Sequence, residues 1–247
     1  MKEYGLIGKK LGHSFSAEYF NSKFKSEGID ARYQLFEIPS IEGVSNLIDS
    51  LPELEGLNVT IPFKKEILPY LDYLSPQAAA IGAVNCVKIV RDGERNTLTG
   101  HNTDAPGFME ALLPQLTPDM SRALVLGQGG ASLAVMYALK ELGIEVTKVS
   151  RTPGKDVITY DRISKDVMQT HHLIINCTPL GMYPNIDASP SIPYQYINDK
   201  FLCFDLVYNP EFTEFMRLSA ERGAKVSNGL KMLYNQADLA WQFWNNK

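Results

Sequence analysis

Cysteine and histidine are both scarce. Three cysteines (Cys86, Cys177, Cys203) and four histidines stand among 247 residues, with no Cys-x-x-Cys and no His-x-x-x-His spacing. Three isolated thiols argue against a disulfide framework, and this donor set argues against a metal site. Basic charge is not in excess either. There are 24 Lys and Arg against 28 Asp and Glu, a formal net charge of −4. The sequence pI near 5.6 leaves no electrostatic footprint for a phosphate backbone, so no nucleic-acid partner is expected. No apolar run approaches the roughly 18 residues of a membrane helix. Lys9 and Lys10 interrupt the N-terminus before a signal-peptide core can form. A protein without membrane contacts, in a reducing cytoplasm, is the expectation. Repeats, low-complexity tracts and charge blocks are absent too. What is present is ordinary globular usage, 45% apolar and 21% charged, too apolar and too weakly charged for disorder. At about 150 residues per domain, the length suggests one or two domains.

The first hundred residues alternate between short strands and helices. Residues 4–8 read as a strand ended by glycine. Residues 16–27 carry Phe20 and Phe24 at helical spacing, with Gly28 as a stop signal. Residues 33–38 alternate like a strand, 41–51 have a helical period, and 57–61 are β-branched with Pro62 behind them. Residues 78–90 read as a helix end plus a strand. From about residue 101 the texture changes. A helix over 108–116 precedes the continuous apolar run 122–126, a glycine-rich turn and a helix to Leu142. Strands are then expected at 145–149, 171–177 and 201–206, and one amphipathic helix at 230–244. Strands alternating with helices argue for a parallel sheet. The expected class is therefore α/β with two domains. A Rossmann-like domain (103–226) is inserted in a first domain (1–102 and 227–247), to which the C-terminal helix returns.

Gly127-x-Gly129-x-x-Ser132 follows a strand and opens a helix, the context a dinucleotide fingerprint requires. Gly127 suits a sharp turn, and Gly129 lets a pyrophosphate approach the backbone with no Cβ in the way. Helix N-terminal N–H groups would then stabilise the phosphate charge. An ordinary tight strand–helix turn also fits this string. The next strand discriminates further. NAD sites typically carry an acid about 20 residues on. Here the strand ends Ser150-Arg151-Thr152, with Lys155 behind it and no acid. An arginine suits a 2′-phosphate, which favours NADP; solvated surface charge is the other reading.

The first domain offers polar residues in unusual places. Asn58 and Thr60 alternate with Val59 and Ile61, so the polar pair faces one side of a strand, and Lys64 lies just past its end. Open α/β sheets present ligand sites there, although a wet edge strand with a solubilising lysine fits as well. Ser14 and Ser16 bracket Phe15 and suit either a carboxylate or a helix cap. Asn85 lies in an apolar stretch, as a site residue or a structural amide. Asp104 precedes the second domain's helix, as a site acid or an N-cap.

Taken together, these strings resemble the shikimate dehydrogenase family, in order and over nearly the whole chain. They are Gly12-His13-Ser14-Phe15-Ser16, Asn58-Val59-Thr60-Ile61-Pro62-Phe63-Lys64, Gly82-Ala83-Val84-Asn85 and Gly100-His101-Asn102-Thr103-Asp104. The glycine turn follows, then Asn176-Cys177-Thr178-Pro179-Leu180-Gly181-Met182 and Asp205-Leu206-Val207-Tyr208-Asn209-Pro210. The last is Asn228-Gly229-Leu230-Lys231-Met232-Leu233, leading to Gln236. The resemblance implies NADP-linked interconversion of 3-dehydroshikimate and shikimate, with a small-molecule substrate and a monomer or homodimer. It implies Lys64 and Asp104 as the catalytic pair. Ser14, Ser16, Asn58, Thr60, Asn85, Tyr208 and Gln236 match substrate positions. Gly127, Gln128, Gly129, Gly130, Ala131 and Ser132 match cofactor positions, as do Ser150, Arg151, Thr152 and Lys155. Leu206 and Gly229 match the nicotinamide end. The chain departs from the pattern at Gln128, where a small residue is usual, at Ser150 for asparagine, and at Lys155 for arginine. Its crossover after Thr152 is short, reduced to a strand over 157–160 plus one turn-rich helix.

Two other readings differ in class or substrate. One is a quinate-preferring or NAD-using relative. The other is a nucleotide-sensing binding protein that has lost the chemistry, since fold does not fix function. Such a protein has no reason to hold both Lys64 and Asp104.

Overall fold

A computed structural model describes residues 1–12, 14–93 and 95–246. His13 of the first family string lies outside them. The chain forms two compact units, Met1–Thr103 with Ala237–Lys247, and Asp104–Gln236. The second division falls inside the last helix, whereas the boundary drawn from the sequence lies at 226/227.

In the first unit the order is β1 (Lys2–Gly8), α1 (Phe15–Glu27), β2 (Ala31–Glu37), α2 (Val44–Ser50), β3 (Leu54–Val59), β4 (Tyr73–Leu74), α3 (Pro76–Ile81), β5 (Cys86–Asp92) and β6 (Arg95–His101). The strands form one mixed sheet in the order β2-β1-β3-β5-β6-β4, with β5 antiparallel to both neighbours. β1 is interior and buried on both faces, which is why it reads as a nearly continuous apolar run. Its Tyr4 and Leu6 pack with Phe20 and Phe24 of α1 and with Trp244 near the chain end. Ile7, on the other face, joins Val44 and Ile48 of α2. α1 starts where the Ser14 hydroxyl accepts the Ser16 N–H (3.3 Å). It ends at Gly28, whose φ of 66° is the left-handed conformation that favours glycine.

The second unit runs α4 (Asp104–Leu112), β7 (Arg122–Leu126), α5 (Gly130–Glu141), β8 (Glu145–Ser150), β9 (Val157–Thr159), α6 (Lys165–Thr170), β10 (Leu173–Asn176), β11 (Leu202–Asp205), α7 (Glu214–Ala220) and β12 (Lys225–Ser227). α8 (Leu230–Asn245) begins here and ends in the first unit. The sheet is parallel throughout, in the order β12-β11-β10-β7-β8-β9. Counted from β7, this is the doubly wound dinucleotide-binding order, with its switch point between β7 and β10. α4 begins four residues earlier than the apolar period suggests. Pro106 is tolerated because it sits in the first turn. Gly107 permits a close approach to α8: a Cβ there would lie 2.9 Å from the Gln236 nitrogen, and Asn235 Nδ2 donates to the Gly107 carbonyl (3.2 Å). Among the described residues no helix is long and apolar enough to cross a membrane.

Candidate functional site

The polar residues of the first unit converge on the carboxyl end of β3. Asn58, the penultimate residue of β3, is buried. Its Nδ2 donates to the Asn85 carbonyl (3.2 Å), which also accepts the Val59 N–H (2.9 Å). Its Oδ1 accepts the Tyr33 hydroxyl (2.8 Å). Tyr33 in turn is hydrogen-bonded by the Ser16 side chain. Burial holds the Tyr33 phenol well above its ordinary range, so it stays protonated and able to donate. A relay therefore joins Ser16, Tyr33, Asn58 and the Asn85 backbone. Sequence reasoning found three of these and missed Tyr33, whose alternation within a strand looks like ordinary core. The Phe20 ring stacks on it at 4.6 Å, so the same side chain serves core and relay.

Thr60 follows β3, its N–H bonded to the Ile7 carbonyl (3.0 Å), and its carbonyl accepts the Phe63 N–H (2.9 Å) in the turn that leads to Lys64. Lys64 is partly buried, and its carbonyl accepts the Val84 N–H (2.8 Å). The next residue, Asn85, is also buried. Its Nδ2 donates to the Thr103 hydroxyl (2.9 Å), and its Oδ1 accepts the Thr103 N–H (2.7 Å). Thr103 immediately precedes Asp104, a buried acid in the first turn of α4, where the helix dipole favours negative charge. Ser14 acts as the α1 cap.

In the second unit the glycine turn sits at the switch point. Gly127 has φ 99°, and a Cβ there would lie 3.0 Å from Thr178 Cγ2 in the loop after β10. Gly129 is the N-cap of α5 with no side-chain cap, and nothing lies within 4 Å of where its Cβ would be. Open space in front of uncapped N–H groups fits a pyrophosphate. Gly130 and Ala131 form the first turn behind it. Gln128 is exposed between the two glycines. Ser132 is fully buried, and its hydroxyl donates to the Gly129 carbonyl (2.7 Å), so it braces the turn from behind.

At the end of β8, Ser150 Oγ accepts the Thr152 N–H (3.3 Å), leaving Arg151 and Lys155 exposed. Beside them a cavity of about 450 Å³ is lined by Arg151, Thr159, Tyr160, Asp161 and Ser191. The crossover is short, as its sequence suggests: β9, a turn over Tyr160–Arg162, and α6. At the far end of the sheet Leu206 and Gly229 meet. A Cβ on Gly229 would lie 2.1 Å from the Leu206 carbonyl oxygen, so only glycine fits. Tyr208 is partly exposed beyond Leu206, and Gln236 Nε2 donates to the Leu233 carbonyl of its own helix (2.8 Å).

Burial pushes the thiols of Cys177 and Cys203 up, the latter to about 12, so neither is a nucleophile at neutral pH.

Strand order and glycine turn define the second unit as a Rossmann-like dinucleotide-binding unit, joined to a first unit with a lysine and a buried amide relay. Residues 6–87 match the shikimate dehydrogenase substrate binding domain. A Clostridium beijerinckii protein named shikimate dehydrogenase (NADP(+)) is 38% identical, over 99% of this chain and 92% of its own length. The structure of a chorismate mutase/shikimate 5-dehydrogenase fusion protein from Clostridium acetobutylicum superposes with a TM-score of 0.86 at 37% identity, covering 99% of this chain and 91% of the other. The Thermus thermophilus shikimate 5-dehydrogenase in complex with NADP(H) and shikimate gives 0.85 at 34% identity, covering 99% and 94%. The chain belongs to the shikimate dehydrogenase family.

Proposed function

We propose that this chain reversibly reduces 3-dehydroshikimate to shikimate with NADPH, as a cytoplasmic monomer or homodimer. The observation that carries this reading is the anchoring of both catalytic positions by two consecutive residues. Val84 binds the Lys64 backbone, and Asn85 binds Thr103 beside Asp104. Such anchoring limits the freedom of the two groups that must act on one ring.

When bound, NADPH supplies the hydride. The negative charge that then develops on the ketone oxygen needs a proton donor, and Lys64 supplies it as an ammonium that also attracts the alkoxide. Asp104 accepts a hydrogen bond from a neighbouring ring hydroxyl. Ser14, Ser16 and Tyr208 hold the substrate carboxylate through neutral hydroxyls, while Asn58, Thr60, Asn85 and Gln236 complete its polar surroundings. Residues 1–102 and 227–247 serve as the substrate domain and 103–226 as the cofactor domain. There Gly127, Gln128, Gly129, Gly130, Ala131 and Ser132 form the pyrophosphate turn. Arg151, with Ser150, Thr152 and Lys155, takes the 2′-phosphate, and the cavity lined by Tyr160 takes the adenosine end. Leu206 and Gly229 border the nicotinamide.

The test is the near-ultraviolet absorbance of reduced nicotinamide in four mixtures: shikimate or quinate with NADP, and each with NAD. Fast reduction with shikimate and NADP is expected. No turnover in that mixture overturns the reading, and equal rates with quinate or NAD replace its specificity.

A further inference from the structure

Asp205, the last residue of β11, is a fully buried acid that the reaction does not consume. Its Oδ1 accepts Asn176 Nδ2 from the end of β10 (2.9 Å) and the Val207 N–H from the following loop (3.0 Å). Its Oδ2 accepts the hydroxyl of Thr213 (2.6 Å), the N-cap of α7. Three segments thus meet on one carboxylate. Asn176 passes the constraint on, since its Oδ1 accepts the N–H (3.0 Å) and hydroxyl (2.6 Å) of Thr178. The loop so held carries Leu206, whose carbonyl packs against Gly229, and then Tyr208. The Val207 carbonyl accepts the Gly229 N–H (3.2 Å).

All three partners of Asp205 are donors, and only the ionised carboxyl accepts from all of them without placing a proton of its own. Yet among the described residues no lysine, arginine or histidine pairs with it. The titratable groups facing it are Cys177 after β10, Cys203 on β11 and Tyr194, whose phenol burial pushes up; all three are neutral at physiological pH. Glu214 and Arg217 of α7 pair with each other (2.7 Å) at the surface. A buried charge without a counter-ion is destabilising, so an asparagine would be the cheaper residue here if only packing mattered.

We propose that Asp205 is a positioning residue, whose negative charge holds the 206–209 loop in the shape that presents Tyr208 to the substrate and Leu206 to the nicotinamide end. The roles of Tyr208 and Leu206 rest on the proposed function; the loop's dependence on Asp205 does not.

Burial pushes this carboxyl up to about 6. The folded state therefore holds its proton more tightly than the unfolded chain does. The stability this gives is fully present below about pH 4 and lost as pH rises through about 6. The first measurement follows the Val207 amide resonance by NMR in the wild-type protein, and a titration centred near pH 6 is expected. The second compares melting temperatures: Asp205→Asn should gain roughly 5 °C on wild type between about pH 4 and pH 7. The third is kinetic. Asp205→Asn should raise the KM for shikimate about three- to tenfold at neutral pH, with kcat less affected. Wild type should approach that KM as pH falls through the midpoint. Thr213→Val removes a donor that holds the carboxyl down, so it should move the midpoint upward, and it carries the test should Asp205→Asn not fold. A Val207 resonance that does not titrate, or a wild-type KM in Asp205→Asn, overturns the proposal. Failure of the wild-type protein to oxidise shikimate with NADP overturns the functional reading instead, and leaves the NMR titration to decide the role of Asp205.

Discussion

The two units build their candidate sites from different materials. In the first, the site is side chain upon side chain: Ser16 bonds Tyr33, Tyr33 bonds Asn58, and Asn85 bonds Thr103. In the second it is mostly backbone, from the uncapped start of α5 to the contact between Gly229 and the Leu206 carbonyl. A hydroxyl-rich ring acid is distinguished by directed amides and hydroxyls, each fixed by another side chain. A phosphate needs only N–H groups and positive potential, which any helix start supplies once glycines clear the way. The difference teaches where each half is vulnerable. The first should lose catalysis or substrate affinity to changes of single polar atoms, the second to added bulk.

The largest effect tests the chemistry of the first unit. Lys64→Ala should lower kcat by about 10² or more with little change in KM; wild-type turnover in a steady-state assay would remove the lysine from the reaction. Gly229→Ala comes next and probes the backbone side of the contrast. Its methyl group must displace the Leu206 carbonyl, for about 2 kcal/mol of lost stability by denaturant melting. An unchanged midpoint would mean that the loop adapts freely. Arg151→Ala should raise the KM for NADPH about tenfold and leave NADH kinetics alone, since only the phosphorylated ribose loses a charge-assisted bond. Equal losses with both carriers would place the arginine elsewhere. The smallest effect is at the relay. Tyr33→Phe removes one oxygen and should raise the KM for shikimate a few-fold. It should cost about 1 kcal/mol of stability through the unpaired Asn58 oxygen, with the KM for NADPH unchanged.

The same contrast decides what could be read from the chain. The candidate backbone site lies within one strand–turn–helix, so the spacing of residues 127–132 points to it, although an ordinary tight turn fits the same string. The strands β7, β10 and β11 are legible as apolar runs because most of their residues are buried. β6, with Asn96, Thr97, Thr99 and His101, has only one buried position and no apolar period, so it passes unnoticed although it pairs along its length with β5. β4, β12 and α7 are too short to show a period. The side-chain site is scattered from Ser16 to Thr103, and no local pattern links Tyr33 to Asn58. Apart from Tyr33 and Thr103, its members show only as polar residues in apolar company, with a structural use open for each. For Ser14 that use is present as the α1 cap. For Asn85 it is present as the clasp on Thr103.

The final helix gives the molecule an order of assembly. Gly56 has no side chain because the Trp244 ring occupies the space, and the Trp244 indole N–H donates to the Val87 carbonyl (2.9 Å). During synthesis the ribosome must therefore deliver the whole inserted half before the opening half receives its last aromatic wedge. The unit begun first has all its strands by His101, yet it waits for the closing turns of α8.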